Sequence, residues 1–327
     1  MKNNQAIITF SIIAIIVIGV IVLKRTIIQS KARNKWTIGI LQTASHPALD
    51  AAREGFVKTL QEKLGNDIGF IIGNGQGSIS TLHTIAQQFH AHNDIDGIYA
   101  IATPAAQAVT SIEKEKPIIM AAVTITPEST IHFNADNICG VSDMINVKAE
   151  IEAMNSLIPH LKTVGILFNT AEINSVTVSK LMVKELEQLN ITPVIAGITS
   201  ESDIEPAVIS TLRKVDALIA PTDNTVANTI ALITDLSRKA SKPLIISDNM
   251  LVKYGPLMAR GVDYYESGKQ AAQIAIELLI NKKKPYELPI VSAESKSVFI
   301  NAQTLAHLNL VIPETLQSDV VMVESTL

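Results

Sequence analysis

The sequence contains one cysteine, Cys139, and few aromatic residues, which make up 4% of its 327 residues. A single cysteine excludes an internal disulfide bond and any metal site built from several cysteines. It also excludes a lipid anchor at the end of the N-terminal apolar segment, because no cysteine stands there. Cys139 lies in the apolar run NICGV, so we interpret it as a buried structural thiol.

Motifs of catalysis and of nucleotide binding are also missing. The segment GNGQG at 73–77 neither ends in GKS or GKT nor completes G-x-G-x-x-G, so we interpret it as a turn. The sequence shows no nucleophile elbow, no Ser-His-Asp order and no cluster at metal-ligand spacing. We therefore predict a protein that is not an enzyme and that binds no metal and no cofactor.

Charge is distributed unevenly along the chain. Residues 1–35 carry six basic residues and no acidic one, which leaves 21 basic against 31 acidic residues, a net charge of −10, in the remainder. An acidic globular part argues against nucleic acid as a partner.

An uncharged apolar run of 18 residues, AIITFSIIAIIVIGVIVL at 6–23, is just long enough to cross a bilayer as a helix. It could instead be the core of a cleaved signal peptide, but the candidate cleavage site, SKA at 30–32, lies far downstream among charges. We favour an uncleaved hydrophobic helix and basic linker over 1–35. More positive charge follows the run than precedes it, which opposes export of the C-terminal part.

Apolar runs of strand length alternate with helical patterns from residue 36 onward. The predicted strands are WTIGILQ (36–42), IGFIIGN (68–74), GIYAIAT (97–103), PIIMAAV (117–123), NICGVSD (137–143), TVGILFN (163–169), TPVIAGIT (192–199), DALIAPT (216–222), PLIISDN (243–249) and SVFIN (297–301). Helical patterns include 48–64, 78–90, 175–189 and 225–239. This alternation predicts an α/β fold with parallel sheets.

Two internal similarities indicate that the chain contains the same arrangement of strands and helices twice. IGILQTAS at 38–45 resembles VGILFNTAE at 164–172, and DGIYAIATP at 96–104 resembles DALIAPTD at 216–223. The offsets of 126 and 120 residues are nearly equal, so we predict two similar Rossmann-like lobes. Lobe 1 spans 36–142 and lobe 2 spans 143–255. We expect about 256–327, including the helix after Val262 and the strand SVFIN, to complete lobe 1.

Ligands of open α/β sheets bind outside the carboxyl ends of the strands, which singles out the polar strand tips. Four tips lead into helix N-termini, where free N–H groups favour anions: QTASHP (42–47), ATPAAQ (102–107), NTAEINS (169–175) and PTDNTVAN (221–228). We predict that they converge on one cleft. The predicted ligand-binding residues are Gln42, His46, Ala102, Thr103, Pro104, Asn174, Ser175, Thr222, Asp223, Asn224 and the strand-end Asp248.

These side chains also have a structural interpretation, as helix caps or solvated turn residues. In the functional interpretation, Asp223 or Asp248 binds an ammonium group. The helix that begins at Asn174 and Ser175 binds a carboxylate through its N–H groups and the serine hydroxyl. His46 has no second ligand at metal spacing and is interpreted as lining the cleft or as a helix-entry residue. The ligand predicted from these roles is an amino-acid-like zwitterion.

Motifs at the same tips resemble those of the extracytoplasmic substrate-binding proteins of ABC transporters, in the subgroup associated with tryptophan and other aromatic amino acids. The motifs are IGILQTASHPALDAAREGF (38–56), AIATPAAQA (100–108), GVSDM (140–144), NSV (174–176), PTDNTV (221–226) and GVDYYESGKQAA (261–272). The resemblance runs from about residue 36 to the end. It implies a type I periplasmic-binding-protein fold, whose two lobes are joined by a hinge and close on one ligand. It also implies that Asp223, Asn224, Asn174, Ser175 and the loop 102–104 line the cleft.

The resemblance further implies the solute-binding component of an ABC importer, with a membrane permease as partner. We expect a monomer outside the cytoplasmic membrane, anchored by its N-terminal segment or exported with a cleaved signal peptide. A membrane-anchored sensor of the same fold, without a transport role, is the alternative. A permease and an ATPase encoded beside this protein would favour transport.

Overall fold

The computed structural model describes residues 35–125, 135–292 and 296–326. The predicted N-terminal hydrophobic helix and nearly all of the basic linker lie outside these ranges. Within them, no helix combines the length and the apolar character that crossing a membrane requires.

Two mainly parallel sheets form the framework, and helices connect most of their strands. The first sheet has the order β11-β5-β4-β3-β1-β2 and contains β1 (Trp36–Gln42), β2 (Ile68–Asn74), β3 (Gly97–Ile101), β4 (Ile118–Val123), β5 (Ile138–Ser142) and β11 (Val291–Ser292). The second has the order β13-β12-β10-β9-β8-β6-β7 and contains β6 (Thr163–Asn169), β7 (Thr192–Ile198), β8 (Ala217–Ala220), β9 (Leu244–Asp248), β10 (Met258–Val262), β12 (Val298–Asn301) and β13 (Val320–Val323). The α/β fold with parallel sheets is confirmed.

The described helices cover the sheets and deliver their N-termini to the carboxyl ends of the strands. They are α1 (Pro47–Leu64), α2 (Ile79–Ala91), α3 (Thr103–Ile112), α4 (Val147–Leu157), α5 (Ile173–Gln188), α6 (Ile204–Leu212), α7 (Asn224–Asn228), α8 (Ile230–Lys239), α9 (Tyr264–Leu279) and α10 (Ala302–His307). The central strands β3, β4, β8 and β9 are buried throughout, as expected for parallel strands covered on both faces.

The chain passes between the two sheets at three places. It leaves the first sheet between β5 and α4, returns to it between β10 and α9, and leaves again between β11 and β12. We use "lobe one" for described residues 35–142 and 264–292, and "lobe two" for described residues 147–262 and 296–326. Two of these passages lie wholly within described residues, at 143–146 and 263, and we call them the connecting segments.

One expectation about lobe one is wrong. The helix after Val262 does pack on lobe one, where α9 contacts α1, and the short β11 pairs with β5. The strand SVFIN, however, pairs antiparallel with β10 in the second sheet and is followed there by β13. The chain reaches this strand only after passing through α9 and β11 of lobe one, so the order of elements along the sequence does not reveal which sheet it joins.

Two glycines allow α9 to lie against α1 with almost no gap between the backbones. A Cβ atom on Gly55 would meet the Tyr265 carbonyl oxygen at 2.3 Å, and one on Gly268 would meet the Ala52 carbonyl oxygen at 2.1 Å. A larger residue at either position would force the helices apart. This contact holds the first residue of α9, Tyr264, beneath the cleft.

Candidate ligand-binding cleft

A cleft lies between the carboxyl ends of the two sheets and contains a small inner cavity. The residues that line this inner cavity are His46, Leu49, Ala102, Ala122, Asp143, Asn174, Pro221, Thr222, Asp223, Asn224, Val226, Ala227, Ile246, Asp248, Leu251 and Tyr264. Its free space is about 30 Å³, counted as positions open to the centre of a water molecule. At about 10–15 Å³ for each water, it holds two or three waters in this conformation.

The structure brings seven of the predicted site residues together around the inner cavity. These are His46, Ala102, Asn174, Thr222, Asp223, Asn224 and Asp248. Pro104 lines a larger outer compartment instead. The other three lie behind the cavity surface, where Gln42 bonds to Asp50 and Arg53, the hydroxyl of Thr103 accepts from the Thr124 N–H, and Ser175 donates to the Thr222 carbonyl.

Asp223 has both carboxylate oxygens occupied by the protein. One accepts a hydrogen bond from the Val226 N–H at 2.9 Å and caps α7, and the other accepts from the Asn169 N–H at 2.6 Å. Burial raises the pKa of this carboxyl group. Asp223 therefore holds the tip of β8 against β6. Because both of its oxygens already accept hydrogen bonds, it has less capacity to bind a ligand than the sequence suggests.

Glu172 is a second buried carboxylate in lobe two, which the sequence analysis did not single out. It accepts hydrogen bonds from the backbone N–H groups of Asn224 and Thr225, from the Asn224 amide and from the Thr225 hydroxyl. Burial, together with the nearby Asp223, raises its pKa. Glu172 can be seen in the sequence as the acid of the tip NTAEINS. A glutamate in an exposed loop would look the same in the sequence, so its burial could not be predicted.

One hydrogen bond joins the two sides of the cleft away from the connecting segments. His46, at the start of α1 in lobe one, lies 3.2 Å by its Nε2 from Oδ1 of Asn224 in lobe two. The other ring nitrogen, Nδ1, is buried and has no hydrogen-bond partner. Burial lowers the pKa of His46 against the opposing effects of Asn224 and Asp50, so the ring is neutral at neutral pH.

Asn174, which also lines the inner cavity, carries a second unsatisfied atom. Its amide nitrogen donates to the Thr222 carbonyl at 2.8 Å, which fixes the orientation of the side chain. The amide oxygen, Oδ1, is buried without a partner. An unpaired buried acceptor costs free energy that a donor on a ligand would recover.

Acidic side chains and a tyrosine form the end of the cavity nearest the connecting segments. Asp143 accepts hydrogen bonds from the hydroxyl groups of Thr124 at 2.8 Å and Tyr264 at 3.2 Å. Asp248 accepts from the Met250 N–H through Oδ1, and no described residue donates to its Oδ2. Burial raises the pKa of Asp143 to about 6, and burial with the charge of Asp143 raises that of Asp248 to about 7.

Lobe one meets the cavity with backbone rather than with charged side chains. Helix α1 has no side-chain cap and proline occupies its first turn, so the N–H groups of Ala48 and Leu49 have no hydrogen-bond partner among the described residues, and Leu49 lines the inner cavity. Ala102 sits at the start of α3 with a φ of 74° and a ψ of 156°, a conformation that strains a residue with a Cβ atom. No lysine or arginine is among the described residues that line the inner cavity.

The outer compartment lies beyond the His46–Asn224 hydrogen bond and has a free space of about 470 Å³. Its lining comes from both lobes and is mainly hydroxyl, amide and carboxylate groups: Thr43, Ser45, Asn74, Gln76, Asn169, Glu172, Thr199, Glu201, Asn224, Thr225 and Asn228. Asn224 borders both spaces. Among the described residues, no group of three or more His, Cys, Asp or Glu side chains has a geometry that could hold a metal ion.

Comparison with known proteins identifies the family. A family model described as ABC transporter substrate binding protein matches residues 37–323. The chain belongs to this family. Its members are solute-binding proteins that work with ABC transporters outside the cytoplasm.

Individual relatives agree with this assignment. The chain is 32% identical over 293 residues to a tyrosine-binding protein of Clostridioides difficile, an alignment that covers 86% of this chain and 83% of the relative. It is 29% identical to a structure from Streptococcus pneumoniae described as an ABC domain in complex with L-Trp, with a TM-score of 0.83 over 88% of this chain and 99% of the other.

A third relative matches this chain less well in structure. It is the ligand-free, open structure of a substrate-binding protein with adhesive properties from Clostridium difficile. The identity is 28% over 89% of this chain and 100% of the other, yet the TM-score is 0.66. The fold agreement is thus lower than with the L-Trp complex, although the sequence similarity is nearly equal.

Proposed function

We propose that this protein is the extracytoplasmic solute-binding component of an ABC importer. Its ligand is an amino acid with an aromatic side chain, bound between the two lobes. The observation that carries the proposal is the mismatch of hydrogen-bonding groups in the inner cavity. His46, Asn174 and Asp248 all line it and each carries an acceptor to which no described residue donates, while no described lysine or arginine lines it. The ammonium group of a ligand would donate hydrogen bonds to these unpaired acceptors.

The ammonium group is placed at Asp248 Oδ2, beside Asp143 and within the cavity that Asn174 also lines. Two neighbouring carboxylates in a buried site repel each other, and a cation between them removes that repulsion. This position replaces Asp223, whose two oxygens are already occupied. It keeps Asp248 in the role that the sequence suggested for it.

The carboxylate is placed in lobe one, at the N-terminus of α1. The open N–H groups of Ala48 and Leu49 and the positive end of an 18-residue helix suit an anion there. The sequence suggested instead the helix that begins near Asn174 and Ser175. The buried carboxylates Glu172 and Asp223 lie beside that helix start and would repel a ligand carboxylate.

Closure of the lobes accounts for the small size of the inner cavity. Both the His46–Asn224 contact across the cleft and the better match to the L-Trp complex support a closed conformation here. An amino acid would enter an open form and favour closure through its greater affinity for the closed state. The connecting segments, 143–146 and 263, would absorb the motion.

The relatives support the choice of an aromatic ligand, because one is named for tyrosine and another is a complex with L-Trp. Delivery to a permease, anchoring by residues 1–35, a monomeric state and the absence of catalysis belong to the same proposal. Membership of the family supports delivery to a permease and the absence of catalysis, and the apolar run at 6–23 supports anchoring.

Isothermal titration calorimetry of the purified protein with each of the 20 amino acids, and with sugars and nucleosides, tests the proposed ligand class. We expect saturable binding of tryptophan, tyrosine or both. Binding confined to sugars or nucleosides would contradict the proposal. Loss of uptake of the bound amino acid by cells that lack this protein would establish the transport role, and unchanged uptake would favour a sensor.

A further inference from the structure

A groove lies on lobe one, at the end of its sheet opposite to the cleft. The first residues of β1 and β3, Trp36 and Gly97, line it together with Leu278 and Leu279 at the end of α9. Its free space is about 350 Å³. These strands run parallel and the cleft lies at their carboxyl ends, so the groove and the candidate ligand site occupy opposite ends of lobe one.

Lysines from two distant parts of the chain meet at this groove. Lys35 lies with its Nζ 4.2 Å from the centre of the Trp36 ring, and Nζ of Lys282 lies 6.0 Å from the same centre. Lys283 and Lys284 are exposed in the segment that follows α9. The fold therefore concentrates four lysines where the two segments meet.

The segment after α9 also exposes apolar and aromatic groups beside its lysines. Ile280 is 41% exposed and Tyr286 is 65% exposed. We use "basal patch" for Lys35, Trp36 and residues 280–286. Tryptophan and tyrosine rings next to lysines are typical of protein surfaces at a membrane–water interface, where the rings lie at the headgroup level and the lysines attract anionic lipids.

The acidic groups nearest the basal patch already have partners within the protein. Asp96, which lines the groove, accepts a hydrogen bond from the Thr37 N–H at 2.7 Å. Glu277 pairs with Lys283 at 2.7 Å. The other three lysines of the patch have no ion-pair partner in the described ranges, so their charges are available to an anionic surface.

The N-terminal sequence indicates which anionic surface lies within reach. The apolar run at 6–23 is the proposed membrane anchor, and the segment 24–35 that follows it spans at most about 40 Å when fully extended. This segment carries five basic residues and no acidic one. From residue 36 onward the net charge is −10, so an anionic bilayer attracts the protein through its basal patch and repels much of the remaining surface.

We propose that the basal patch binds the anionic headgroups of the bilayer in which the chain is anchored, and that it holds lobe one at the membrane. The inference rests on the anchoring part of the proposed function and adds an orientation to it. Since the cleft lies at the other end of lobe one, docking leaves it uncovered. Lobe two carries no part of the patch and stays free to close.

The fluorescence of Trp36 tests this orientation, because the chain contains one tryptophan. The ligand-free, full-length protein is reconstituted into vesicles of phosphatidylcholine alone or with phosphatidylglycerol, each with a trace of lipid that carries a dinitrophenyl quencher on its headgroup. We expect at least about twofold stronger quenching when phosphatidylglycerol is present, and loss of this difference at high salt. Equal quenching in the two kinds of vesicle would overturn the inference.

Flotation of the same vesicles at high salt separates the inference from the proposed anchoring. Protein that floats with both kinds of vesicle but shows no difference in quenching is anchored without docking, which overturns the inference alone. Protein that floats only with anionic vesicles and only at low salt would support headgroup binding and contradict the anchor. Protein that floats with neither would overturn both.

Charge substitutions identify the basal patch as the source of the difference. Replacing two lysines together, Lys282→Gln and Lys284→Gln, should lower the ratio of docked to undocked protein about tenfold or more, with quenching normalised to vesicles without quencher. Lys180→Gln with Lys184→Gln is the matched control, since both lysines are exposed on α5 of lobe two and the change in net charge is the same. Equal losses in the two double variants would show that net charge alone matters and would overturn the proposal.

Discussion

The two walls of the cleft come from lobes of the same α/β construction, yet they present opposite chemistry. Lobe one lines the inner cavity with Leu49, in the uncapped first turn of α1, and with the strained backbone of Ala102. Lobe two and the connecting segment face it with the oxygens of Asn174, Asp248 and Asp143. A strand tip thus determines where a site lies, while its side chains determine which charge it receives. The two walls are therefore suited to a zwitterion, with its carboxylate at lobe one and its ammonium group at lobe two.

The largest expected effect comes from removing the open carboxylate of lobe two. Asp248→Asn keeps an oxygen for the Met250 N–H but places an amide where we put the ligand ammonium. Loss of a charge-assisted hydrogen bond costs roughly 1.5–3 kcal/mol, so calorimetry should show affinity falling by about 10–150-fold. The unliganded protein should melt at the same or a higher temperature, because a buried charge has been removed.

Glu150→Gln is the matched control for that substitution. Glu150 is another buried carboxyl group of lobe two, bonded to Ser247, but it does not line the inner cavity. This variant should change stability and leave affinity unaltered. Full affinity in Asp248→Asn, or equal losses in the two variants, would contradict the placement of the ammonium group.

The acidic wall should also give stability and affinity opposite dependences on pH. Burial raises the pKa of Asp143 to about 6, of Asp248 to about 7 and of Glu150 to about 8, above their ordinary values. Such groups hold protons more tightly when folded. Their contribution to stability is therefore complete below the pKa of the unfolded chain and is lost as pH rises through the folded values.

Between about pH 8 and about pH 5, the free energy of unfolding of the ligand-free protein should rise by about 2 kcal/mol or more. Carboxyl groups with lowered pKa, such as Asp216, titrate below this window, and the opposing effect of His46, whose pKa burial lowers, is outweighed by the three carboxyl groups with raised pKa. Affinity for a zwitterionic ligand should fall over the same range, because its ammonium group needs ionised partners. Chemical denaturation and calorimetry at matched pH would measure both; parallel changes would argue against the acidic wall.

A smaller effect is expected when a negative charge is introduced into lobe one. Ser45 is exposed, lies just before α1 and borders the outer compartment. In Ser45→Asp the new carboxylate would compete with the ligand carboxylate for the helix N-terminus, at a cost of about 0.3–1 kcal/mol. Calorimetry should show affinity reduced about two- to fivefold, and less so at high salt. The neutral Ser45→Asn should bind normally; equal losses would remove the electrostatic explanation.

The smallest effect tests the strained backbone of lobe one. Glycine tolerates the φ and ψ of Ala102 without steric conflict, so Ala102→Gly should stabilise the protein by about 1 kcal/mol in chemical denaturation. A loss of stability would show that the methyl group contributes more to packing than its backbone conformation costs.

Much of the framework could be predicted from the sequence, because buried parallel strands and polar strand tips leave clear local patterns. The runs at 36–42, 68–74 and 163–169 match β1, β2 and β6, and the tips they lead to do meet at one cleft. The strand β10, with its sequence MARGV, carries too little apolar pattern to be recognised.

The roles within the site were harder to predict than its location. Asp223 and Glu172 have similar positions at strand tips, and only three-dimensional contacts show that both are already occupied by backbone and side-chain donors. Asp143 follows a strand in a segment that connects the lobes, and its neighbour Tyr264 is 121 residues away in sequence. Contacts between distant residues of this kind leave no local signal.

The most direct test of whether each wall recognises one charge of the ligand compares tyrosine with two analogues that each lack one charge. Tyramine has no carboxylate, and 3-(4-hydroxyphenyl)propionate has no ammonium group, while both retain the phenol. Measured by calorimetry on the unaltered protein at neutral pH, both should bind at least about tenfold more weakly than tyrosine, with the larger loss for the analogue without the ammonium group. An analogue that binds as tightly as tyrosine would show that the wall opposite its missing charge does not recognise the ligand as we propose.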